Sequence, residues 1–262
     1  MNRKIIFFDI DGTLIGEESH IMLESTKEAI KKARKNGHIC IINTGRTKKL
    51  VGPDIENLVE FDGYIYGCGT MISYHGEEIM RQTFSEEMGR RIIDALRKYK
   101  IDAVLEGKEN DYNDALDKIN TKVFKDFILL FKDKGYGSYE DAIGNFDKFY
   151  AYVDDIARMH AFQADFQDEL EFVDREHGFF EIMPIGYSKA SGMDYLIDIL
   201  NIPQEDTVAI GDSTNDLPML EHAKTAIVMG NATERIKPMA DYVTTHVDED
   251  GIWNALEWLE VI

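Results

Sequence analysis

The chain has 262 residues, 44% of them hydrophobic, which is enough for one large domain or two modest ones with a buried core. Its 49 acidic and 29 basic residues give a formal net charge of −20, which argues against nucleic acid and anionic membrane surfaces as partners. Two cysteines do not make a disulfide framework, and no apolar run approaches the roughly 18 residues of a transmembrane helix, so we expect a cytoplasmic protein without a membrane segment.

Short apolar runs alternate with helical patterns at the start of the chain. Residues 4–9 predict a strand, residues 25–36 a helix with Ser25 and Glu28 as its capping box, and residues 38–43 a second strand. The next predicted elements are a helix at 47–58, a strand at 64–66 and two hairpin strands at 70–74 and 78–83. Apolar strands that alternate with helices indicate a parallel sheet covered on both faces.

The middle of the chain, about residues 84–183, has a different character. It is dense in aromatic side chains, and strand-like pieces at 149–153, 171–173 and 179–183 alternate with helical ones. We interpret it as an inserted α+β domain. Glu181 either faces a cleft at the edge of this domain or serves as a structural hydrogen-bond partner.

The alternation of strands and helices resumes after residue 184. The predicted strands lie at 207–210, 226–229 and 241–244, and the predicted helices at 188–200, 216–223 and 252–259. The fold class is therefore predicted to be α/β, with a doubly wound, Rossmann-like parallel-sheet core and an inserted α+β domain.

Two carboxylates, Asp9 and Asp11, lie at the end of the first predicted strand, and Gly12 and Thr13 supply the turn after it. Like charges this close push at least one pKa upward unless a cation neutralises them. Such a pair serves a metal ion, serves acid–base chemistry, or is simply a solvated strand end.

Three further polar clusters fall where ligands bind in doubly wound sheets, just after strands or at a helix start. They are Thr44-Gly45-Arg46, Lys189, and the segment 211–216 with Asp212, Asn215 and Asp216. If Asp9, Asp11, Asp212 and Asp216 lie together, their negative charges repel one another unless a cation neutralises them. Magnesium suits such a site, because it binds through few carboxylates together with phosphate. Lys189 and the Thr44 hydroxyl could then hold phosphate oxygens. Arg46 contacts substrate or the inserted domain, or pairs with a carboxylate.

The ordered set DxDGT at 9–13, TGR at 44–46, a lysine opening a helix at 189 and GDxxND at 211–216 is similar to the motifs of the haloacid dehalogenase-like superfamily. The large insert resembles that of its Cof-type phosphatase branch. The resemblance covers the whole chain, with a catalytic core at 1–83 and 184–262 and a cap domain for substrate specificity at 84–183.

The resemblance implies a magnesium-dependent phosphatase that acts on a small phosphorylated metabolite, such as a sugar phosphate or a phosphorylated cofactor. Asp9 would be the nucleophile that forms an aspartyl-phosphate, and Asp11 the acid and base. The metal would be held by Asp9, the Asp11 backbone carbonyl and Asp212, with Asp216 orienting that shell. The implied phosphate- and substrate-binding residues are Thr44, Gly45, Arg46, Lys189 and Asn215.

Two alternatives accompany this interpretation. A phosphomutase or phosphotransferase acting on sugar phosphates would pass the phosphoryl group to a sugar instead of to water, and a non-catalytic phosphate-ligand binding module would keep the fold alone. The chain departs from the branch at Cys68, where asparagine is common, and at Ala190, where glycine is common. We expect a monomer or weak homo-oligomer with no nucleic-acid or membrane partner.

Overall fold

In the computed structural model, residues 3–130 and 135–262 are described, and the chain divides into two compact units. The first unit contains the described residues up to Arg46, Val51–Met80 and Ser188–Ile262. The second contains Thr47–Leu50 and the described residues of Arg81–Tyr187. Both units mix helices with a β-sheet, so the predicted α/β class is confirmed.

The strands are β1 (Ile5–Phe8), β2 (Ile39–Asn43), β3 (Gly63–Tyr66), β4 (Met71–Tyr74), β5 (Glu77–Arg81), β6 (Asp102–Glu106), β7 (Asp111–Asn113), β8 (Tyr136–Ser138), β9 (Lys148–Tyr152), β10 (Leu170–Asp174), β11 (Phe179–Pro184), β12 (Thr207–Gly211), β13 (Thr225–Val228) and β14 (Tyr242–Val243). The helices are α1 (Glu24–Lys35), α2 (Lys48–Glu56), α3 (Glu86–Tyr99), α4 (Lys122–Leu130), α5 (Tyr139–Ala142), α6 (Ile156–Phe166), α7 (Lys189–Leu200), α8 (Leu217–His222) and α9 (Gly251–Trp258).

The first unit is built on an eight-stranded sheet, counted over residues 3–130 and 135–262, in the order β14-β13-β12-β1-β2-β3-β4-β5. Strands β14 through β3 in that order run parallel, and β4 runs antiparallel to β3. The predicted hairpin of β4 and β5 is confirmed, and its two turn residues, His75 and Gly76, both have positive φ. The strand order reverses beside β1, which lies between β2 and β12. Doubly wound sheets bind their ligands at such a switch point.

Both faces of this sheet are covered, as its apolar strands predict. Alternate side chains of a strand point to opposite faces. Ile6 and Phe8 pack in one fully buried cluster with α1 and α9, and Ile5 and Phe7 pack in another with α7 and α8. The carboxyl ends of the central strands are thereby held rigidly between two helical layers.

The second unit has a six-stranded sheet in the described part of the chain, in the order β10-β11-β9-β6-β7-β8. All its pairings are antiparallel except that of β7 with β8. Helices α3 and α6 pack on the face that carries Leu105 and Phe149, and α4 packs with Val104, which points to the opposite face. The predicted strands at 149–153, 171–173 and 179–183 are confirmed as β9, β10 and β11, in that order.

Three neighbouring strands of this second sheet place charged side chains together in a buried ion cluster. Lys148 on β9 pairs with Glu106 at 3.1 Å and forms a short hydrogen bond with Glu181 on β11. All three residues are at most 6% exposed. Burial raises the pKa of Glu106 to about 7. Of the two interpretations of Glu181, the structure shows the structural hydrogen-bond partner.

The predicted capping box of the first helix is wrong. Helix α1 begins at Glu24, one residue before the predicted start, and its N-cap Leu23 offers no side-chain hydrogen bond. Ser25 therefore lies inside the first turn, where its buried hydroxyl has no partner among the described residues, and Glu28 pairs instead with Lys31. Within residues 3–130 and 135–262, no helix combines the length and apolar character needed to cross a membrane.

Candidate active site

The predicted site residues follow three adjacent strands of the first sheet. Asp9 follows β1, Thr44 follows β2 and Asp212 follows β12. Because these parallel strands end at the same edge, their following residues converge at the switch point. Lys189 is the first residue of α7, which packs on the same sheet. The structure therefore brings residues that are up to 203 positions apart to one edge of the core.

The centre of the site is a group of three carboxylates around one ammonium. Asp9, Asp212 and Asp216 each offer an oxygen within 4.8 Å of the others. Lys189 Nζ lies 2.6 Å from Asp9 Oδ1 and 2.5 Å from Asp216 Oδ1. All four residues are at most 5% exposed. With every group ionised, the carboxylates outnumber the ammonium by two charges.

Burial and crowding set the protonation of these groups. The pKa of Asp9 is raised, chiefly by burial and by the nearby Asp216 carboxylate, against the opposing pull of Lys189. Burial, with Asp9 and Asp216, raises the pKa of Asp212 to about 8. Burial acts to lower the pKa of Lys189, but the two carboxylates beside it outweigh burial and raise that pKa, so the lysine stays protonated. The raised pKa values of Asp9 and Asp212 show that the ionised carboxylates lack sufficient positive charge, which a bound cation would supply.

Asp216 organises the loop after β12. Its Oδ2 accepts the backbone N–H groups of Asp212 at 2.9 Å and Ser213 at 3.0 Å, while its Oδ1 accepts from Lys189. The side chain is completely buried. One carboxylate therefore contacts both the backbone that presents Asp212 and the ammonium that contacts Asp9, and the role predicted for it in orienting a metal's ligands stays a prediction.

Sequence reasoning did not assign Thr13 and Asn231 to the site. Thr13 Oγ1 donates to Asp212 Oδ1 at 2.8 Å, and Asn231 Nδ2 donates to the Gly12 carbonyl at 2.8 Å. Thr13 belongs to the DxDGT motif, which could have signalled it. Asn231 lies just beyond β13, and only the order of the strands in the sheet brings it near the first motif.

Gly12 is the glycine on which the site geometry depends most directly. It has φ +78°, and a Cβ built on it would lie 2.3 Å from Asp212 Oδ2. Gly12→Ala should therefore displace the Asp212 carboxylate and lower kcat/KM by about 10²-fold. Gly37→Ala is the matched control, because Gly37 has φ +93° with nothing within 4 Å of its Cβ position. Both variants should lose about 1–2 kcal/mol of stability from backbone strain. Steady-state kinetics in which both variants lose activity equally would contradict the contact with Asp212.

Asp11 is held apart from the three-carboxylate group. Arg46 Nε donates to Asp11 Oδ2 at 2.8 Å, and Arg46 Nη2 donates to Asp11 Oδ1 in a bidentate pair. The Asp11 side chain is 46% exposed, so it faces solvent while Asp9 does not. Of the interpretations open for Arg46, the structure shows pairing with a carboxylate.

The remaining predicted residues lie in the two loops beside this centre. The buried Thr44 hydroxyl accepts the backbone N–H of Arg46 at 3.1 Å, which shapes the turn containing Gly45. Asn215 Oδ1 accepts a short hydrogen bond from Ser213 Oγ. These two side-chain hydrogen bonds lie within the loops of Thr44 and Asn215, and the predicted contacts of both residues with phosphate or substrate stay predictions.

The donor set fits a hard divalent cation. It consists of carboxylate oxygens, with no histidine or cysteine among the described residues that form this group. Oxygen donors with excess negative charge suit magnesium, calcium or manganese better than zinc. The carboxylates of Asp9 and Asp212 are close enough to share such an ion, and the predicted third ligand, the Asp11 backbone carbonyl, stays a prediction.

A doubly wound core with a buried acidic site and a lysine at its switch point defines a class of hydrolases, and the comparison with known families agrees. Residues 6–256 match the model of a family described as haloacid dehalogenase-like hydrolases. The chain belongs to that family, which confirms the resemblance carried by its four motifs. It is a hydrolase of the phosphatase class.

Three similar proteins show the range of the family. YkrA of Bacillus subtilis (strain 168), whose name describes it as a candidate phosphatase, is 30% identical over 100% of both chains. The 5-amino-6-(5-phospho-D-ribitylamino)uracil phosphatase YwtE of the same organism is 29% identical over 95% of both. The solved structure of the subclass IIB sugar phosphatase BT4131 has a TM-score of 0.81 and 27% identity, and the match covers 99% of this chain and 100% of that one.

Proposed function

We propose that this chain is a magnesium-dependent phosphatase that hydrolyses a small phosphorylated metabolite through an aspartyl-phosphate on Asp9. The observation that carries the proposal is the buried group of Asp9, Asp212 and Asp216 around Lys189 at the switch point. Its negative charge would repel a phosphate, and a bound divalent cation would neutralise that charge and polarise the phosphoryl oxygens.

The side chains divide the chemistry between them. Lys189 holds Asp9 Oδ1, which fixes the rotation of the carboxylate that would attack phosphorus. As the bond from phosphorus to the leaving oxygen breaks, Asp11 would donate a proton to that oxygen. Asp11 would then take a proton from the water that attacks the aspartyl-phosphate, so that phosphate leaves and Asp9 is regenerated. Lys189 would also stabilise charge on the transferring phosphoryl group.

The pair of Asp11 with Arg46 adds a condition to this mechanism. Arg46 bonds to both oxygens of the Asp11 carboxylate, whereas an acid needs one of those oxygens free to meet the leaving group. We therefore propose that Arg46 releases Asp11 when substrate binds, since the phosphate offers the guanidinium another anionic partner.

Asp11→Asn should slow hydrolysis by about 10²–10⁴-fold, because the amide can neither donate the carboxyl proton nor accept one from water. Magnesium affinity should change by less than about threefold, since only the Asp11 backbone carbonyl is assigned to the metal. Kinetics with an aryl phosphate and calorimetric magnesium titration measure the two effects. Severe loss of magnesium affinity would contradict the assignment. The control is Asp62→Asn, because Arg34 holds the Asp62 carboxylate in the same bidentate manner, through both of its oxygens.

Magnesium binding should strengthen as pH rises from about 6 to about 8. The pKa of Asp9 is raised and that of Asp212 is raised to about 8, so protons must leave these carboxylates before an ion binds. Without metal, the folded chain keeps those protons to a higher pH than the unfolded chain does. Its free energy of unfolding should therefore fall as pH rises from about 4 to about 8. Calorimetry in two buffers of different ionisation enthalpy measures the released protons. A magnesium affinity that does not change between pH 6 and pH 8 would exclude the coupling of metal binding to proton release.

We propose that the second unit, which contains the predicted cap at 84–183, selects the substrate. This is the role that the resemblance to the Cof-type branch implies for the cap. The organic part of the substrate is then a small polyol, sugar or cofactor-like group. The named activities of YwtE and of the sugar phosphatase BT4131 support this class. The predicted cytoplasmic location and monomeric or weakly oligomeric state are consistent with a metabolic enzyme.

The decisive experiment is a panel of phosphorylated metabolites assayed with magnesium. It should include hexose and pentose phosphates, polyol phosphates and phosphorylated cofactor precursors, with free phosphate and the organic product both quantified. Release of free phosphate supports the phosphatase. An isomerised sugar phosphate without free phosphate would replace it with the phosphomutase, and inertness towards every metabolite and aryl phosphate would replace it with the binding module.

A further inference from the structure

Asn43 is a buried polar residue at the end of β2, after Ile41 and Ile42. It is completely buried, and its Nδ2 donates to the main-chain carbonyl of Lys189 at 3.0 Å. Its Oδ1 is also buried and has no hydrogen-bond partner among the described residues. The opposite amide orientation would place Oδ1 against the Lys189 carbonyl oxygen, so the donor is fixed on that carbonyl. A buried acceptor without a partner is unfavourable, and an apolar side chain here would avoid it.

The bond from Asn43 meets α7 at its first residue. The start of this helix lies tightly against neighbouring backbone, because a Cβ on Gly69 would be 2.3 Å from the Ser188 carbonyl oxygen. A Cβ on Gly192 would lie 2.6 Å from Ile65 Cγ2 on β3. These contacts set how closely the helix approaches the sheet. The hydrogen bond from Asn43 adds a directional tie between the end of β2 and the residue that carries the ammonium.

The ammonium of Lys189 has little tolerance for displacement. It contacts Asp9 Oδ1 at 2.6 Å and Asp216 Oδ1 at 2.5 Å within a fully buried group. If the ammonium moved about 1 Å directly away from either carboxylate, that contact would lengthen to about 3.5 Å, beyond the usual range of a hydrogen bond. Displacements of this size at a reacting group cost about 10²-fold in rate.

We propose that Asn43 is a positioning residue that acts through Lys189. Its amide fixes the first residue of α7 on the end of β2, so that the lysine reaches Asp9 and Asp216 together. The unpartnered Oδ1 is the cost of keeping the Nδ2 donor at this position. The kinetic consequence rests on the proposed phosphatase function, whereas the structural consequence does not.

Asn43→Leu separates positioning from packing, because leucine has nearly the same shape and lacks both polar groups. The variant should keep wild-type stability or exceed it, since the unpartnered acceptor is gone, while kcat with an aryl phosphate falls about 10–100-fold. Asn43→Ala should give the same loss of kcat with lower stability. It replaces Asn43→Leu in the test if the leucine variant does not fold. Asn36→Ala is the matched control: it removes an Nδ2 bond to the Val261 carbonyl, at 2.9 Å, outside the site. It should lose stability without losing kcat.

A double-mutant cycle and a crystal structure complete the test. In a Lys189→Met background, Asn43→Leu should change kcat by less than about twofold, because the group that it positions is already gone. The crystal structure of Asn43→Leu should show Lys189 Nζ out of bonding distance of Asp9 or Asp216. Equal kinetic losses in both backgrounds, or a lysine that stays on both carboxylates, would overturn the proposal. If the wild type releases no phosphate, the proposed function fails, and the position of Lys189 still decides this inference.

Discussion

Asp9→Asn is expected to abolish turnover, with a loss of kcat of about 10⁴-fold or more on any phosphate ester. The amide oxygen is a far weaker nucleophile than the carboxylate, and no described carboxylate can replace it without moving. Asp216 Oδ2 is bonded to two backbone N–H groups, and Asp212 Oδ1 to Thr13. Single-turnover measurements at high enzyme concentration give the residual rate, and trapping of a phosphorylated protein should succeed only with the wild type.

The same substitution should not weaken the fold. The raised pKa of Asp9 means that the folded state disfavours its charged form, so a neutral group of the same shape removes repulsion from Asp216 and Asp212. In metal-free buffer at pH 8, the variant should unfold at the same temperature as the wild type or higher. Asp102→Asn is the matched control, since this buried carboxylate accepts four hydrogen bonds from Asn120 and Thr121 in the second unit. It should lose stability and keep kcat. An Asp9→Asn variant that is folded and retains more than about 1% of turnover would exclude Asp9 as the nucleophile.

Lys189→Met is expected to have the second largest effect, because it acts on both rate and stability. Removing the ammonium leaves Asp9 and Asp216 buried without their cation, which costs about 3–5 kcal/mol for a buried pair. The loss should be largest in metal-free buffer at pH 8 and smaller near pH 5, where Asp9, whose pKa is raised, carries its proton. Turnover should fall about 10²–10⁴-fold, since Asp9 loses its orienting contact and the phosphoryl group loses a positive partner.

Chemical denaturation at both pH values, with and without magnesium, separates these contributions. Magnesium should restore part of the stability of Lys189→Met, because the ion supplies positive charge to the same carboxylates. Lys31→Met removes an exposed lysine paired with Glu28 and should change stability by less than about 0.5 kcal/mol. A Lys189→Met variant with wild-type stability at pH 8 would show that the buried pair is not needed for the fold.

The arrangement of the core could be predicted because its signals are local. Apolar strands that end in acids, together with helices between them, place Asp9, Asp212 and Lys189 at one edge of a sheet without knowledge of distances. In the second unit, the sequence patterns that predict strands were weaker. Strands β7 and β8 are three residues each and contain polar residues, so no alternation of apolar side chains marked them.

The partners of the site residues were less accessible from the sequence. Whether Arg46 binds substrate or a carboxylate depends on the direction of one side chain, which spacing does not give. Asn231 and Asn43 act through bonds between elements that are distant in the chain, and such bonds leave no periodic pattern. The capping box at Ser25 was predicted wrongly because Glu24 joins the helix and moves its start by one residue.

The split of the first unit across the chain has a consequence for protein synthesis. Strand β1 pairs with β12 through Ile5 and Thr207. One edge of β1 therefore stays without its partner strand until about 200 more residues have been synthesised. At about 5–20 residues per second, this wait is roughly 10–40 s on the ribosome. The six strands of the second sheet, counted over the described residues of Arg81–Tyr187, are complete before β12 is made. We therefore expect the second unit to fold first, and a chaperone that covers one edge of β1 to raise the yield of active enzyme.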